Sequence, residues 1–237
     1  VERLKTNYKV GVNLETPKVP YRETITSVGT AQYRHKKQTG GHGQFAEVHL
    51  RVEPLQDEEE DFEFDNEVVG GNIPKNFIPA VEKGVVEAMT DGPLANCRVI
   101  NLRAVVYDGK HHPVDSSEMA FKIASRGAFR DAIKNARPQL LEPIMKLKIM
   151  FPEEYMGDVS GDLNSRRGRI LGMDREEGLQ VVQAEVPMAE TFNYSTQLRS
   201  ITQGRGMFEM EFARYEPVPS NLAQQIQQAA AREQEEE

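Results

Sequence analysis

Two short segments hold the side chains best suited to contact a charged or polar ligand. Residues 40–44 read Gly-Gly-His-Gly-Gln, and residues 108–112 read Asp-Gly-Lys-His-His. Glycine allows another backbone to approach closely, and the polar side chains can donate to phosphates or base edges. Each segment follows a predicted strand, so both can lie at one end of a domain, although two ordinary solvent turns are the alternative. The candidate contact residues are Gly40, Gly41, His42, Gly43, Gln44, Lys110, His111 and His112, with Arg34, Lys36 and Lys37 adding positive charge nearby.

A second group of candidates is rich in arginine. Residues 161–169 are predicted to form a helix end and turn with three arginines within four residues, and residues 203–206 end a later helix in the same style. The planar guanidinium suits phosphate recognition, and a rigid turn limits the loss of side-chain entropy. The alternative is that these arginines complement the helix dipole and pair with local acids. The candidates are Asn164, Ser165, Arg166, Arg167, Arg169 and Arg205.

Catalytic interpretations are weaker. His111 and His112 are adjacent, so on an extended segment they point to opposite sides and cannot readily share a metal ion. Residues 40–43 lack the Gly-Lys-Ser/Thr ending and the following helix of a phosphate-binding loop. The single cysteine, Cys97, is predicted to be a buried apolar side chain rather than a nucleophile. We therefore expect no catalytic residue, metal or cofactor in this chain.

Acidic residues outnumber basic ones, but many of them lie in two runs. The net charge is −8, with 37 acids and 29 bases, and 11 of the acids fall within residues 57–65 or 233–237. The rest of the chain has 26 acids and 29 bases and is therefore slightly basic. The two acidic runs are predicted to be a solvated loop and tail. No stretch approaches the length of a membrane span. One cysteine excludes an internal disulfide and is consistent with a reducing cytoplasm.

The length of 237 residues predicts two domains, and hydrophobic periodicity predicts an α+β class for both. In the first domain we expect a hairpin of residues 29–38 with a strand around 48–52, a helix over 78–89, a strand over 100–106, a loop over 107–114 and a helix that runs to Pro138. Asp115 is predicted to cap this last helix, with Glu118 in the reciprocal position. A strand over residues 8–12 is interpreted as the end of a domain that lies upstream.

The pattern changes after residue 145. We predict strand 146–151, helix 153–165, strands 170–173 and 179–186, helix 188–201 and strand 207–215, which is the β-α-β-β-α-β order of the ferredoxin-like fold. A helix follows Pro219, with Leu222, Ile226 and Ala229 as its packing stripe. This fold hosts many functions, RNA binding among them, and does not decide the function alone.

Five collinear segments resemble elongation factor G. They are residues 20–25 (Pro-Tyr-Arg-Glu-Thr-Ile), 38–44 (Gln-Thr-Gly-Gly-His-Gly-Gln), 114–122 (Val-Asp-Ser-Ser-Glu-Met-Ala-Phe-Lys), 141–145 (Leu-Glu-Pro-Ile-Met) and 161–168 (Gly-Asp-Leu-Asn-Ser-Arg-Arg-Gly). The resemblance implies a remnant of domain III at 1–14, an elongated domain IV arm at 15–142 similar to ribosomal protein S5 domain 2, and a ferredoxin-like domain V at 143–217. Residues 218–237 would form a helix that packs toward domain IV and ends in an acidic tail.

The resemblance also implies a function. Such a chain would be the ribosome-binding, cytoplasmic, monomeric part of a translational GTPase that promotes movement of transfer RNA and messenger RNA. Its arm tip would act at the decoding centre on 16S ribosomal RNA, with His112 at the position of the tip histidine, and domain V would approach 23S ribosomal RNA and the stalk-base proteins. GTP and Mg²⁺ would bind a domain absent from this chain.

The sequence departs from the family pattern at the tip. His42 stands where many members carry arginine, and His111 stands where tyrosine is common, so part of the tip charge becomes pH-dependent. A paralogue that acts in ribosome recycling, protection or regulation therefore remains an alternative to the main translocation factor. A stand-alone RNA- or protein-binding module and a histidine-dependent hydrolase are the alternatives from other classes.

Overall fold

The structure is a computed structural model that describes residues 17–38, 43–55 and 61–236. It divides into two compact units. The larger unit contains residues 21–142 and 215 onward, and the smaller unit contains residues 143–214. The strand predicted over residues 8–12 lies outside the described residues. Both units mix helices with a sheet, so the prediction of an α+β protein with two domains is confirmed.

The larger unit contains a four-stranded sheet covered by two helices. The strand order is β2-β3-β5-β4; neighbours are antiparallel except β4 and β5, which are parallel and joined through α1. The elements are β1 (Arg22–Ile25), β2 (Gly29–Lys37), β3 (Gln44–Pro54), β4 (Phe62–Asn66), α1 (Ile78–Ala88), β5 (Leu102–Lys110) and α2 (Glu118–Asn135). β1 pairs with residues 138–141, the start of the long strand β6 (Pro138–Phe151).

Apolar and polar side chains alternate along β3, and this alternation determines which face of the sheet is buried. Ala46, Val48, Leu50 and Val52 are fully buried in the core that includes residues of α1 and α2, whereas the intervening side chains are polar and lie on the opposite face. Side chains of a strand alternate between faces, so this period of two defines the register. The predicted pairing of residues 29–38 with this strand is confirmed, with Arg34 opposite Glu47.

The two helices of the larger unit pack closely at Gly84. A Cβ atom on Gly84 would lie 2.5 Å from the backbone oxygen of Lys122 and would also overlap Ser125 Oγ. We expect Gly84→Ala to lower the free energy of unfolding by about 2 kcal/mol, because overpacking outweighs the gain in helix propensity. Urea denaturation measures this change. Gly161→Ala is the control: its Cβ meets nothing within 4 Å, so a gain of about 0.5–1 kcal/mol is expected. Equal effects of the two changes would contradict the close packing.

Several predictions for the larger unit are wrong. Ser117, not Asp115, caps α2: its side chain accepts the Ala120 N–H. Met119 is 56% exposed and lies outside the packing stripe. Residues 107–110 extend β5 because they pair with β3, with Lys110 opposite Glu47, so the loop begins later than predicted. Residues 62–65 of the acidic run, predicted to be a loop, form β4 together with Asn66, because β5 offers a pairing partner.

The smaller unit has the predicted ferredoxin-like order. Its sheet runs β7-β8-β6-β9, and its core joins both helices to β6 and β8. The elements after β6 are α3 (Met156–Ser165), β7 (Arg169–Glu176), β8 (Leu179–Pro187), α4 (Tyr194–Ile201) and β9 (Met207–Pro217). Short 3₁₀ turns precede both helices, at Glu153–Tyr155 and Met188–Glu190. The strand predicted to begin at residue 146 begins earlier, because residues 138–141 pair with β1.

The last helix, α5 (Ser220–Glu236), belongs to the larger unit. Leu222, Ala223, Ile226 and Ala230 pack against a cluster of Ala95, Leu140 and Val218. Ala229, which the sequence placed on the packing stripe, is exposed, and Ala230 packs instead. Among the described residues, no helix is long and apolar enough to cross a membrane.

Candidate nucleic-acid interface

The structure places the described end of the first candidate loop, Gly43 and Gln44, beside the segment that follows the second. Gly43 N donates to Asp115 Oδ1 at 3.0 Å, and Phe45 N donates to the Asp115 carbonyl at 2.9 Å. Ser116 Oγ donates to the Phe45 carbonyl at 2.7 Å. The start of β3 is thus bonded directly to the segment after His112. Gly40, Gly41 and His42 lie outside the described residues.

His112 is held by its own loop. Its Nδ1 accepts the N–H groups of Val114 and Asp115 at 3.3 and 3.2 Å, and its backbone N–H donates to Ser116 Oγ at 2.8 Å. The ring packs edge-on to Phe45, with centroids 6.3 Å apart. The side chain is nevertheless 49% exposed. A neutral histidine whose Nδ1 accepts hydrogen bonds carries its proton on Nε2, so this ring presents a donor.

His111 has different partners from His112. Its Nδ1 lies 3.1 Å from the Asn72 carbonyl, while Asn72 Nδ2 donates to Asp108 Oδ1 at 2.8 Å. The Asn72 and Gly109 N–H donors hold the pKa of Asp108 below its usual range. The two adjacent histidines therefore do not converge on one point. Across residues 17–38, 43–55 and 61–236, no three His, Cys, Asp or Glu side chains form a group that could hold a metal ion.

Lys110 belongs to a charged group around Glu47. The Glu47 carboxylate is 2.5 Å from Arg34 Nε, 3.1 Å from His49 Nε2 and 3.5 Å from Lys110 Nζ. Burial acts to raise the pKa of Glu47, but the hydrogen bonds from His49 and Arg34 lower it further than burial raises it. Arg34 and Lys110 remain 57% and 64% exposed, so they present positive charge beside the loops.

An open cavity of about 230 Å³ lies next to the paired loops. Gln44, part of its lining, has its amide oxygen 2.8 Å from His35 Nε2. The chemistry of the lining suits a polar, negatively charged ligand better than an apolar one. The residues that line it are Lys36, Lys37, Gln38, Gly43, Gln44, Phe45, His112 and Asp115.

In the smaller unit, Arg166 is held inside the domain. Its Nε donates to Asp162 Oδ2 at 2.8 Å, and a second guanidinium nitrogen donates to the Glu190 carbonyl at 2.6 Å. The guanidinium also lies 5.3 Å from the centre of the Tyr194 ring. Only 16% of the side chain is exposed. These contacts favour the local-pairing alternative for Arg166 over an RNA contact.

The neighbouring residues are more accessible. Asn164 and Ser165 are exposed at the end of α3, and Arg167 Nε lies 3.3 Å from Glu190 Oε1. Arg169 is 59% exposed and binds Glu185, whose pKa the hydrogen bonds from Arg214 and Arg169 lower to about 2. Arg205 is half exposed, contacts Glu154, and stacks over the Tyr155 ring at 4.9 Å. The candidates of this unit thus differ in their freedom to contact a ligand.

The contacts of Arg166 predict a structural role. We expect Arg166→Ala to lower the free energy of unfolding of the smaller unit by about 2 kcal/mol, because two hydrogen bonds and a ring contact are lost from a mostly buried site. Urea denaturation of the chain provides the measurement. Arg205→Ala is the comparison: its ion pair with Glu154 and its ring contact are half exposed, so its loss should cost less than about 1 kcal/mol. Unchanged stability in Arg166→Ala, together with a weaker salt dependence of RNA binding, would assign Arg166 to a phosphate contact instead.

Asp115 and Ser116 are the residues that sequence reasoning missed. Residues 115–117 read Asp-Ser-Ser before Glu118, so three residues able to cap a helix stand in a row, and the sequence does not say which one caps. Only one of these residues can cap the helix. The other two, beside a candidate loop, were the available sign that Asp115 and Ser116 bond to something else. Only the position of Gly43 beside Asp115 shows what the surplus carboxylate binds.

Comparisons with known proteins agree with this fold along nearly the whole chain. Residues 17–137 match the family "Elongation factor G, domain IV", and residues 139–226 match "Elongation factor G C-terminus". The elongation factors G of Thermotoga neapolitana and Thermotoga maritima are each 51% identical over 227 residues, which is 95% of this chain and 33% of each relative. A crystal structure of a Thermus thermophilus protein superposes with a TM-score of 0.88 at 48% identity, covering 98% of this chain and 34% of that one.

The two sheets and the two family matches together define a class, the C-terminal part of a translation elongation factor. More specifically, the chain belongs to the elongation factor G family. It spans about a third of the length of the curated relatives that it matches.

Proposed function

We propose that this chain is the ribosome-binding part of a cytoplasmic translational GTPase that promotes movement of transfer RNA and messenger RNA. The observation that carries the proposal is the match to elongation factor G across both units. The paired loops of the larger unit add a contact surface, because they expose the donors of His112 and Lys110 at the ends of paired strands. Phosphate and base-edge acceptors are the groups that such donors recognise.

In this proposal the larger unit is an arm whose tip enters the decoding centre. The tip occupies the space beside the transfer RNA and messenger RNA once they have moved, and its donors bond to the RNA in that position. Backward movement of the transfer RNA and messenger RNA would require these bonds to break and the arm to withdraw. The chain itself performs no hydrolysis; GTP and Mg²⁺ would act in a separate domain of the longer protein.

The smaller unit is proposed to contact 23S ribosomal RNA near the stalk base. Its accessible arginines, Arg169 and Arg205, and the exposed Asn164 and Ser165 are the contact candidates. Both arginines are paired with carboxylates, so phosphate binding would exchange one anionic partner for another. Such an exchange is sensitive to ionic strength, because released counterions contribute to binding.

A chimera tests the proposal. The chain replaces the matching third of the Thermotoga maritima elongation factor G, and single-turnover translocation is followed with labelled messenger RNA. We expect translocation within about tenfold of the parent rate, since the two sequences are 51% identical over this region. Chemical footprinting should show protection near the decoding centre and the stalk base. A chimera that hydrolyses GTP on ribosomes without translocation would contradict the proposal.

A paralogue that acts in ribosome recycling, protection or regulation is the second candidate. It is favoured by His111 and His42, which stand where the family commonly has tyrosine and arginine. A ribosome-splitting assay with the same chimera distinguishes the two. Splitting without translocation would establish the recycling role, whereas translocation without splitting would exclude it.

A further inference from the structure

Asp115 connects the two candidate loops through three separate groups. Its Oδ1 accepts the Gly43 N–H, its carbonyl oxygen accepts the Phe45 N–H, and its own N–H donates to His112 Nδ1. Ser116 extends the connection, because its Oγ accepts the His112 N–H and donates to the Phe45 carbonyl. One dipeptide therefore bonds to both the start of β3 and the histidine of the other loop.

The contact between Gly43 and Asp115 leaves little room. A Cβ atom on Gly43 would lie 3.1 Å from both Cγ and Oδ2 of Asp115, closer than ordinary van der Waals contact. The Asp115 side chain is 26% exposed, so most of it is enclosed by the loops that it joins. A larger residue at position 43 would therefore have to displace Asp115 and lengthen its hydrogen bond from the backbone N–H. Gly43 and the segment of residues 112–116 are consequently held together.

Backbone N–H groups, rather than the Asp115 carboxylate, restrict what His112 can recognise. Two N–H groups, from Val114 and Asp115, point at Nδ1, which must therefore accept. A proton on Nδ1 would oppose both donors and would find only Asp115 Oδ2, 3.4 Å away. The neutral ring thus keeps its proton on Nε2 and offers that N–H outward. Its partners must be acceptors, such as phosphate, carbonyl or 2′-hydroxyl oxygens.

We propose that Asp115 is a positioning residue: its carboxylate fixes the segment of residues 112–116 against Gly43 at the start of β3, and thereby keeps the backbone N–H groups of Val114 and Asp115 directed at His112 Nδ1. Its consequence for translocation rests on the proposed function, whereas the alignment itself can be tested on the chain alone. Asp115 contacts no RNA in this proposal; it acts through His112 and Gly43. A purely structural aspartate would stabilise the fold without affecting the hydrogen bonds that His112 Nδ1 accepts.

Nitrogen-15 NMR of the labelled chain tests the alignment. The His112 signals, identified by their loss in His112→Asn, should show an unprotonated Nδ1 and a protonated Nε2 at neutral pH. Asp115→Ala keeps both backbone donors to Nδ1 but releases the segment that carries them, so the Val114 and Asp115 amide signals should shift, and amide exchange at Gly43 should speed up about tenfold, the effect of losing one hydrogen bond. Asp131→Ala, which removes an exposed aspartate of α2, is the matched control and should change neither signal. A protonated Nδ1 in the wild type, or unchanged spectra in Asp115→Ala, would overturn the proposal.

The chimera tests the consequence. Asp115→Ala should lower the maximal translocation rate about tenfold, the equivalent of one hydrogen bond, while the factor concentration for half-maximal rate stays within about twofold. Asp115→Asn should recover most of the rate, because its amide oxygen still accepts from Gly43. An unaffected maximal rate in Asp115→Ala, or no recovery in Asp115→Asn, would overturn the proposal. An inactive wild-type chimera would refute the proposed function and leave the NMR result to decide the alignment.

Discussion

Replacing Glu23 with alanine is expected to lower the free energy of unfolding of the larger unit by about 4 kcal/mol, the loss of several hydrogen bonds to a buried charged group. Glu23 is completely buried. Its Oε1 accepts the N–H groups of Ala95 and Cys97 at 2.9 and 3.1 Å, and its Oε2 accepts that of Leu94 at 2.9 Å. Alanine would leave three backbone donors without their acceptor and would open a cavity.

The loss should spread beyond the loop that Glu23 holds. Ala95 lies in this loop and packs in the cluster with Leu140 and Val218, against which α5 is packed. Hydrogen exchange should therefore rise in α5 as well as at residues 94–97. Glu23→Gln keeps one carbonyl oxygen but turns an amide group toward a backbone N–H, so a smaller loss of about 2 kcal/mol is expected.

Urea denaturation followed by circular dichroism measures these differences. Glu87→Ala is the matched control, because Glu87 is an exposed glutamate paired with Lys122 and its removal should cost less than about 1 kcal/mol. Equal stability of Glu23→Ala and Glu87→Ala would show that the N–H groups of residues 94–97 find other acceptors.

The contribution of Glu23 should also depend on pH. Burial raises the pKa of Glu23 above its ordinary value of 4.5, and the three N–H donors only partly offset this effect. A folded-state pKa above the unfolded-state value means that the folded protein binds the proton more tightly. The stabilisation relative to Glu23→Ala is therefore largest below pH 4.5 and declines as the pH rises through the raised pKa. If the difference in free energy of unfolding between the wild type and Glu23→Ala instead grew with pH across this range, the raised pKa of Glu23 would be contradicted.

His112→Ala is expected to slow translocation by the chimera about tenfold to a hundredfold, with ribosome-stimulated GTP hydrolysis nearly unchanged. The range corresponds to the loss of one hydrogen bond to a charged acceptor, about 1.5–3 kcal/mol. Hydrolysis should be spared because the nucleotide would bind a different domain of the longer protein. Stopped-flow translocation and phosphate release, measured on the same preparations, separate the two activities.

Three further substitutions make this prediction specific. His112→Gln can place a donor near the position of Nε2, whereas His112→Asn can only replace the acceptor at Nδ1, so glutamine should retain more activity. His111→Ala is the comparison in the same loop, because the His111 ring contacts the Asn72 carbonyl and makes none of the hydrogen bonds of His112, and its effect should stay below about threefold. Parallel loss of translocation and GTP hydrolysis in His112→Ala would contradict a role confined to the tip.

Much of the fold could be predicted because local periodicity encodes burial. The alternation of Val48, Leu50 and Val52 with polar residues identified β3 and its buried face, and the order of elements after residue 145 identified the ferredoxin-like unit. Strand ends were predicted less well. Residues 62–66 and 107–110 become strands through pairing with another strand, and periodicity within a segment carries no information about its partner.

The candidate contact residues could be proposed from their residue types, but the sequence did not show which of them are exposed enough to bind a ligand. Arg166 and Arg169 have the same chemistry in the same turn, yet one is 16% and the other 59% exposed. The difference arises from the Glu190 carbonyl and the Tyr194 ring, which are 24 and 28 residues away along the chain. Contacts at such separations depend on how helices and strands pack, and this packing is not visible in a local pattern.

By itself, the sequence determined the α+β class, the resemblance to elongation factor G and the residue types available at the tip. It could do so because these properties depend on local spacing and on collinear segments. Tertiary structure decided which of these residues act together. Asp115 bonds to Gly43 across 72 positions, and Glu23 bonds to residues 71 to 74 positions away. A carboxylate accepts whichever donors the fold brings to it, so the assignment of Asp115 to the loops rather than to the helix required the folded chain.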